Sequence, residues 1–139
     1  MTQPTSKVFL LDLNYTLVSN SEQKIKPFTD QIASETYDEK LLAMLRDRYV
    51  VLITARPQMH KEATLASLLA KTGWQPEMAY YNDLKLPPPI LKERKLSELL
   101  RIVKLSRLVA IESNPQTRAM YLKWGIPAFA KAAFKLPPA

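Results

Sequence analysis

The sequence KVFLLDLNYTL, residues 7–17, holds the segment that decides the fold. Residues 7–13 are nearly all apolar and include a β-branched and an aromatic side chain, with no alternation of polar residues before Asp12. Such a run is typical of a strand that is buried on both faces, as strands of parallel sheets are. We therefore predict that residues 7–13 form a first strand, which ends near Asp12.

Four further apolar runs follow, separated by segments long enough for helices. This alternation predicts an α/β fold: a single Rossmann-like three-layer domain with a mainly parallel five-stranded sheet, right-handed crossovers and helices on both faces. Pro127 lies in the last run and predicts an edge strand, because proline cannot donate to a strand ladder. The four runs are residues 50–54, 78–81, 108–111 and 126–130.

Apolar periodicity and capping residues predict the helices between these strands. Thr36 and Glu39 have the spacing of a capping box, and the only two glycines of the chain, Gly73 and Gly125, stand where helix ends are expected. Residues 87–89, three prolines, are interpreted as a stiff connector, and residues 24–30 as a small flap. The predicted helices are residues 36–45, 57–73, 91–105 and 115–125.

The composition is that of a globular protein, which we interpret as one domain over residues 1–139. Apolar residues make up 47% and charged residues 24%, a balance that excludes a disordered chain. The absence of cysteine excludes disulfides and thiolate metal sites, and a single histidine, His60, disfavours histidine zinc clusters. No apolar stretch could cross a bilayer and residues 1–7 do not resemble a secretory signal, so we expect a cytoplasmic protein without a membrane partner.

Positive charge is concentrated in the second part of the chain. Residues 1–82 are balanced, whereas residues 83–139 carry 11 Lys and Arg against 4 Asp and Glu, which accounts for the whole net charge of +7. This asymmetry predicts a polyanionic partner such as nucleic acid, or a phosphorylated substrate. A solvated, lysine-rich helix face explains it equally well, since no basic block is long enough to be a nucleic-acid tail.

Polar residues stand where three of the predicted strands end. Asp12 ends the first and Thr54 the second, while Glu112, Ser113 and Asn114 follow the fourth. The carboxyl ends of parallel strands meet at one edge of the sheet, where open α/β sheets bind their ligands. We therefore expect these side chains to converge at that edge.

The converging residues suit phosphoryl transfer. A carboxylate such as Asp12 attacks phosphorus only when cations and hydrogen-bond donors neutralise the phosphoryl oxygens. Thr54 can donate to such an oxygen, and Lys92 can supply positive charge. Taken singly, Asp12 and Thr54 are also common as caps of turns and helices. Oxygen donors of the kind that hold Mg²⁺ are Asp12, Glu112, the Asn114 side chain and a backbone carbonyl near Asn14.

Together these segments resemble the haloacid dehalogenase-like superfamily. VFLLDLNYTL is similar to its motif I, VLITARP to motif II, LKERKL to motif III and VAIESNPQTRAMYLKWGIP to motif IV, in that order over residues 7–129. The resemblance implies a phosphatase with Asp12 as nucleophile, Thr54 and Lys92 as phosphate-binding residues, and Glu112 as a ligand of Mg²⁺. Lys95 and Lys85 compete with Lys92 for the role of the motif III lysine.

Three positions depart from the superfamily pattern. Asn14 stands where its phosphatases carry a second aspartate as general acid and base, and an amide cannot transfer that proton. Tyr15 replaces a small glycine and should crowd the phosphate entrance, and Ser113 replaces an acidic residue that helps to hold the cation. Loss of a positioned acid/base typically costs ~10²–10⁴ in rate, so slow turnover is expected.

The spacing of the motifs bears on the substrate. The gaps between Asp12, Thr54 and Lys92 leave no room for a large cap domain, and superfamily members without a cap tend to act on macromolecular phosphates. The motif II and IV segments are most similar to the phosphatase domains attached to polynucleotide kinases, a likeness that is an analogy of fold. Arg56 could reach a phosphate, although a surface ion pair is an equally good interpretation.

Two functional hypotheses follow. The first is a Mg²⁺-dependent phosphomonoester hydrolase that acts slowly on a nucleic-acid end or a nucleotide, with Asn14 orienting water or substrate. The second is a catalytically degenerate domain that binds a phosphorylated ligand, nucleic acid or a partner protein, which the identities of Asn14, Tyr15 and Ser113 favour. The retention of Asp12, Thr54, a lysine and Glu112 inclines the interpretation toward the enzyme.

Overall fold

The computed structural model describes residues 6–136, so both ends of the predicted 1–139 domain and most of the stretch compared with secretory signals lie outside the described residues. The described chain has a Rossmann-like α/β fold whose five-stranded sheet is parallel at every pairing, which confirms the predicted fold class. The strands are β1 (Val8–Leu11), β2 (Tyr49–Pro57), β3 (Met78–Asn82), β4 (Leu108–Ile111) and β5 (Ala128–Phe129).

The strand order, β3-β2-β1-β4-β5, places β1 at the centre of the sheet. The chain first builds the β2 and β3 side and then crosses over β1 to add β4 and β5. This reversal makes a crevice beyond the carboxyl ends of β1 and β4, where open α/β sheets bind ligands. Asp12 leaves β1 at this point, and its backbone N–H still donates to the Ile111 carbonyl at 3.0 Å.

Helices cover both faces of the sheet, because successive side chains of each strand point to opposite sides. Phe9 and Leu11 belong to a core on the side of α2 and α3, and Val8 and Leu10 to a core on the side of α4 and α5. The helix α1 packs against α3. The helices are α1 (Phe28–Ser34), α2 (Glu39–Leu45), α3 (Lys61–Thr72), α4 (Pro88–Leu99) and α5 (Pro115–Lys123).

The helix starts differ from those that capping residues predicted. The N-cap of α2 is Asp38, whose carboxylate accepts from the Leu41 N–H at 2.9 Å, so Thr36 is not the cap. Pro57 ends β2 and caps a short 3₁₀ helix, Gln58–His60, so the α-helix itself, α3, begins only at Lys61. Both helix starts were misplaced for the same physical reason. Several polar or proline residues near each boundary can serve as a cap, and packing selects one of them.

One segment, residues 87–89, was assigned to the wrong kind of structure. Pro88 and Pro89 are the first two residues of α4, not a connector, because a helix does not need the N–H groups of its first turn. The predicted flap at residues 24–30 is partly helical, since α1 begins at Phe28. No helix among residues 6–136 has the length and apolarity to cross a membrane.

The two glycines follow helices, as predicted. Gly73 and Gly125 follow α3 and α5 with φ of +72° and +82°, the left-handed conformation in which a Cβ is disfavoured. No heavy atom lies within 4 Å of a Cβ added at either position, so only the backbone conformation selects glycine there.

We expect Gly73→Ala to lower the free energy of unfolding by roughly 1 kcal/mol, because alanine is strained at positive φ. Chemical denaturation monitored by circular dichroism measures this loss. Gly73→Asn is the matched control and should cost less, since asparagine tolerates the left-handed region. Equal losses for both variants would contradict a conformational cause.

Candidate active site

The carboxyl edge of the sheet contains a cavity of about 190 Å³ beside β1, β2, β4 and α4. Residues from four separate parts of the chain meet there, which is the convergence that the strand ends predicted. The cavity is lined by Asp12, Asn14, Tyr15, Thr54, Ala55, Pro88, Lys92, Glu112, Ser113 and Asn114.

A buried lysine joins the two acids of the cavity. The Lys92 ammonium lies 2.9 Å from Asp12 Oδ1 and 2.5 Å from Glu112 Oε1, and only 2% of Lys92 is exposed. Lys95, one turn further along α4, turns away to Asp83 and Glu98 at 2.7 and 3.2 Å. Of the lysines that could fill the motif III position, Lys92 is therefore the one whose ammonium contacts the two acids of the cavity, and Lys85 does not line it.

The two oxygens of Asp12 have different partners. Oδ2 accepts hydrogen bonds from the Thr16 hydroxyl at 2.8 Å and from the Ser113 hydroxyl at 2.7 Å. Oδ1 accepts from Lys92 alone among the described residues. The Ser113 backbone N–H also donates to Oδ2, at 3.3 Å, so two residues hold this oxygen with three hydrogen bonds. The other oxygen has a single cationic donor and is the better candidate for chemistry.

Thr16 was not singled out in the sequence, although it stands four residues after Asp12 in the turn Leu13–Leu17. That turn brings its hydroxyl back to the carboxylate that ends β1, and the side chain is fully buried. Spacing within a tight turn is a local signal that could have identified this contact.

The electrostatics of the site keep Asp12 ionised and Lys92 charged. Burial acts to raise the pKa of Asp12, but the Lys92 charge and the hydrogen bonds from Lys92 and Ser113 outweigh it and lower that pKa. Burial acts to lower the pKa of Lys92, and the charges of Asp12 and Glu112 raise it instead. Burial raises the pKa of Glu112 to about 7 against the attraction of Lys92, and the charge of Asp12 adds to this rise. Of the two acids, Asp12 is thus the stronger.

Thr54 lies at an irregular part of β2. The pairing of β2 with β3 shifts register between Ile53 and Pro57, and bulges of this kind commonly re-aim a side chain. The Thr54 hydroxyl oxygen accepts from the Arg56 backbone N–H at 3.1 Å, so its proton is left to donate into the cavity that it lines.

Asn14 is held by a neighbour that the sequence analysis did not assign to it. Its side-chain oxygen accepts from Arg56 Nη2 at 2.7 Å, and its backbone carbonyl lies 3.3 Å from the Ser113 hydroxyl, which donates to it. With the amide oxygen committed to Arg56, the amide nitrogen is the group that Asn14 can offer to a ligand, and it can only donate.

Arg56 requires a correction. It was predicted to bind phosphate or to form a surface ion pair, but its guanidinium is buried and does not line the cavity. It forms a bidentate pair with Glu35, at 2.9 and 2.6 Å, and donates to the Thr64 hydroxyl at 3.0 Å. Its guanidinium also lies over the Phe28 ring, 4.8 Å from the centroid. Arg56 is therefore a buried link between β2, α3 and the segment before α2.

Glu35 is the functional neighbour that sequence reasoning missed. It is 1% exposed and belongs to no motif, and its partner Arg56 lies 21 residues away in the chain. Only the packing of the segment after α1 against β2 creates this pair, so no local pattern could have identified it.

Asn114 occupies a different role from the predicted one. Its side-chain oxygen accepts from the Gln116 and Thr117 N–H groups at 2.8 and 3.3 Å and so caps α5. Its own backbone N–H donates to Glu112 Oε2 at 3.1 Å. The cation role of Asn114 stays a prediction that this geometry disfavours, because the oxygen already has two donors.

The remaining oxygen donors fit Mg²⁺ by type. Asp12 and Glu112 supply carboxylates and Asn14 its backbone carbonyl, all hard ligands of the kind that Mg²⁺ prefers. The site carries little excess negative charge, because Lys92 offsets one carboxylate. Within residues 6–136, no group of three or more His, Cys, Asp or Glu residues is arranged to hold a metal ion.

Comparisons with known proteins support the fold. The chain matches no family model and no curated protein in sequence. It is similar in structure to a chain of the Pnkp1/Rnl/Hen1 RNA repair complex, with a TM-score of 0.71 and 16% identity over 93% of this chain and 43% of that chain. A second structure of the Pnkp1/Rnl/Hen1 complex gives a TM-score of 0.69 and 16% identity, covering 90% of this chain and 45% of that one. The chain thus spans less than half the length of the chains it matches.

We expect Lys92→Met to lower the free energy of unfolding by roughly 3 kcal/mol, because it leaves two buried carboxylates without their cation. Urea denaturation near neutral pH measures the loss. Lys95→Met on the same helix is the matched control and should cost about 1 kcal/mol or less, since its partners Asp83 and Glu98 are half-exposed. A loss for Lys92→Met as small as that of the control would contradict the buried triad.

Proposed function

We propose that this protein is a Mg²⁺-dependent phosphomonoester hydrolase that uses Asp12 as its nucleophile and acts on a nucleic-acid end or a nucleotide. The observation that carries the proposal is the Lys92 ammonium held between Asp12 and Glu112 in a cavity that Thr54 also lines. A carboxylate, a cation and a hydroxyl donor around one small space are what phosphoryl transfer to an aspartate requires.

In the first step, Asp12 Oδ1 attacks the phosphorus atom and the ester oxygen departs. The Thr54 hydroxyl and the Lys92 ammonium stabilise the phosphoryl oxygens, and Oδ2 keeps its hydrogen bonds to Thr16 and Ser113, which holds the carboxylate in one orientation. In the second step, water attacks the same phosphorus atom, the Asp12–phosphorus bond breaks, and phosphate leaves. Bound Mg²⁺, held by Asp12, Glu112 and the Asn14 carbonyl, would neutralise negative charge on the phosphoryl group.

Asn14 explains why the reaction should be slow. Its amide can donate a hydrogen bond to the leaving oxygen or orient the attacking water, but it neither gives nor takes a proton. A positioned acid/base contributes typically ~10²–10⁴ in rate, so protons would have to move through solvent at that cost. The hydrogen bond from Arg56 keeps the amide in one orientation and so preserves positioning without proton transfer.

Three further observations support a nucleic-acid end or nucleotide as the substrate. The cavity, at about 190 Å³, is smaller than the roughly 300–1,000 Å³ that encloses a drug-sized ligand, so a phosphate can enter while the rest of the substrate stays outside. The similarity in fold to a chain of an RNA repair complex favours the same class. The excess of positive charge over residues 83–139 suits a polyanion.

A binding domain without turnover is the second candidate, and Ser113 favours it. Its hydroxyl donates to Asp12 Oδ2 and also lies 3.3 Å from the Asn14 carbonyl, so a neutral group connects two of the three oxygens proposed to hold the cation. With few negative charges to hold the cation, Thr54 and Lys92 could bind a phosphate that is never transferred to Asp12.

Asp12→Asn should abolish phosphate release from nucleotides and from p-nitrophenyl phosphate, because the amide cannot attack phosphorus. A colorimetric phosphate assay with Mg²⁺ measures this. Release that survives in Asp12→Asn would contradict the proposal, since it would come from another mechanism or another protein.

Asn14→Asp should raise turnover, by up to about 10²-fold, because the new carboxylate can accept the proton of the attacking water. Arg56 would lie beside that carboxylate and keep it ionised, which favours a base over an acid. The gain should therefore be largest for p-nitrophenyl phosphate, whose leaving group needs no proton. The double variant Asp12→Asn/Asn14→Asp is the control and should remain inactive.

A phosphate adduct on Asp12 separates the two candidates. If attack proceeds and hydrolysis is slow, acid quenching followed by mass spectrometry of peptides should detect the adduct in the native chain and more weakly in Asn14→Asp. Phosphate binding without any adduct or turnover would favour the binding domain.

A further inference from the structure

Tyr15 holds an unfavourable backbone conformation at the mouth of the cavity. Its φ is +61°, in the left-handed region that residues with a Cβ avoid, and its backbone N–H donates to the buried Ser21 hydroxyl at 2.7 Å. A glycine would meet the same turn without strain. The choice of a large aromatic residue at this position therefore needs a reason other than the turn.

Core packing does not supply that reason. Tyr15 is 53% exposed, although it also lines the cavity with Asp12 and Lys92. No other aromatic ring among residues 6–136 is stacked on it. Backbone strain that serves no packing and lies beside reactive groups is a feature typical of functional sites.

A positive charge lies against the same ring. The Lys24 ammonium is 4.8 Å from the centroid of the Tyr15 ring, a cation–π contact at the mouth of the cavity. An exposed aromatic face together with a lysine is the combination by which proteins bind single-stranded nucleic acid: the base stacks on the ring, and the cation meets the phosphate backbone.

We propose that Tyr15 is a specificity-determining residue that stacks on the base of the nucleotide whose phosphate enters the cavity. This inference rests on the proposed function, because it takes the phosphate to be held by Thr54 and Lys92. The cavity, at about 190 Å³, is smaller than the roughly 300–1,000 Å³ of pockets that enclose a whole ligand, which favours a base at the mouth, where the ring is exposed. The hydrogen bond from the Tyr15 N–H to Ser21 holds this backbone at the mouth before the ligand arrives, which reduces the entropy lost on binding.

The test compares a nucleotide with the same phosphate lacking a base. Adenosine 5′-monophosphate, adenosine 3′-monophosphate and ribose 5-phosphate are titrated calorimetrically into Asp12→Asn, where turnover is blocked, with and without Tyr15→Leu. Leucine keeps the Cβ strain and an apolar side chain but removes the aromatic face. Tyr15→Phe, which keeps that face, is the matched control.

We expect Tyr15→Leu to weaken binding of at least one adenosine monophosphate by about tenfold, with ribose 5-phosphate changed less than twofold and Tyr15→Phe close to native. In the chain with Asp12 intact, the same contrast should appear in kcat/KM. Lys24→Met should reduce affinity for a dinucleotide bearing a terminal phosphate more than for a mononucleotide.

Four outcomes would overturn the inference. Equal weakening of nucleotides and ribose 5-phosphate would mean that Tyr15 only shapes the cavity, and tighter binding of both would mean that it obstructs the entrance. Binding and turnover of all three phosphates without preference for a base would remove the inference and leave the proposed function standing. Failure of all three, and of inorganic phosphate, to bind or react would overturn both.

Discussion

A single buried ammonium holds the site together. Lys92 on α4 contacts Asp12 after β1 and Glu112 after β4. One cation therefore connects the two parallel strands between which the strand order reverses. A charge taken from water is tolerated only when partners compensate it, so α4 has to keep its place over the sheet. The same constraint puts a positive charge beside Asp12, where a phosphate would otherwise be repelled by the carboxylate.

A second buried ion pair determines what surrounds Asp12. Arg56 binds Glu35 on one side and the Asn14 amide on the other, and so couples the segment after α1 to the end of β2. The Ser113 hydroxyl then links Asn14 to Asp12. Asn14 is therefore a fixed part of a hydrogen-bonded network. This arrangement is consistent with either a slow hydrolase or a binding domain, and it shows that the amide is compatible with the fold.

The first strand, the helix ends and the residues of the candidate site were predicted from local sequence patterns. The apolar run at residues 7–13 predicted β1 because a strand buried on both faces cannot alternate with polar residues, and Gly73 and Gly125 marked helix ends because positive φ disfavours a Cβ. Asp12, Thr54 and Glu112 each close or follow an apolar run, which predicted their convergence because parallel strands share a carboxyl edge, although β2 continues past Thr54 to Pro57. Cap positions were harder, and Asp38, not Thr36, opens α2 because capping depends on one hydrogen bond among several possible ones.

By itself, the sequence determined the α/β architecture and the identity of the groups at the carboxyl edge, because the apolar runs, their alternation with helix-length segments and the polar residues that follow them can be identified along the chain. The tertiary structure decided between Lys92 and Lys95, which lie about 4.5 Å apart along one helix and differ mainly in the direction they face. It also decided that Arg56 pairs with Glu35 inside the protein and that Tyr15 is exposed beside the cavity. These outcomes depend on burial and on contacts between residues distant in the chain. Such contacts contribute free energy only once the helices and strands have packed, so no local sequence pattern reveals them.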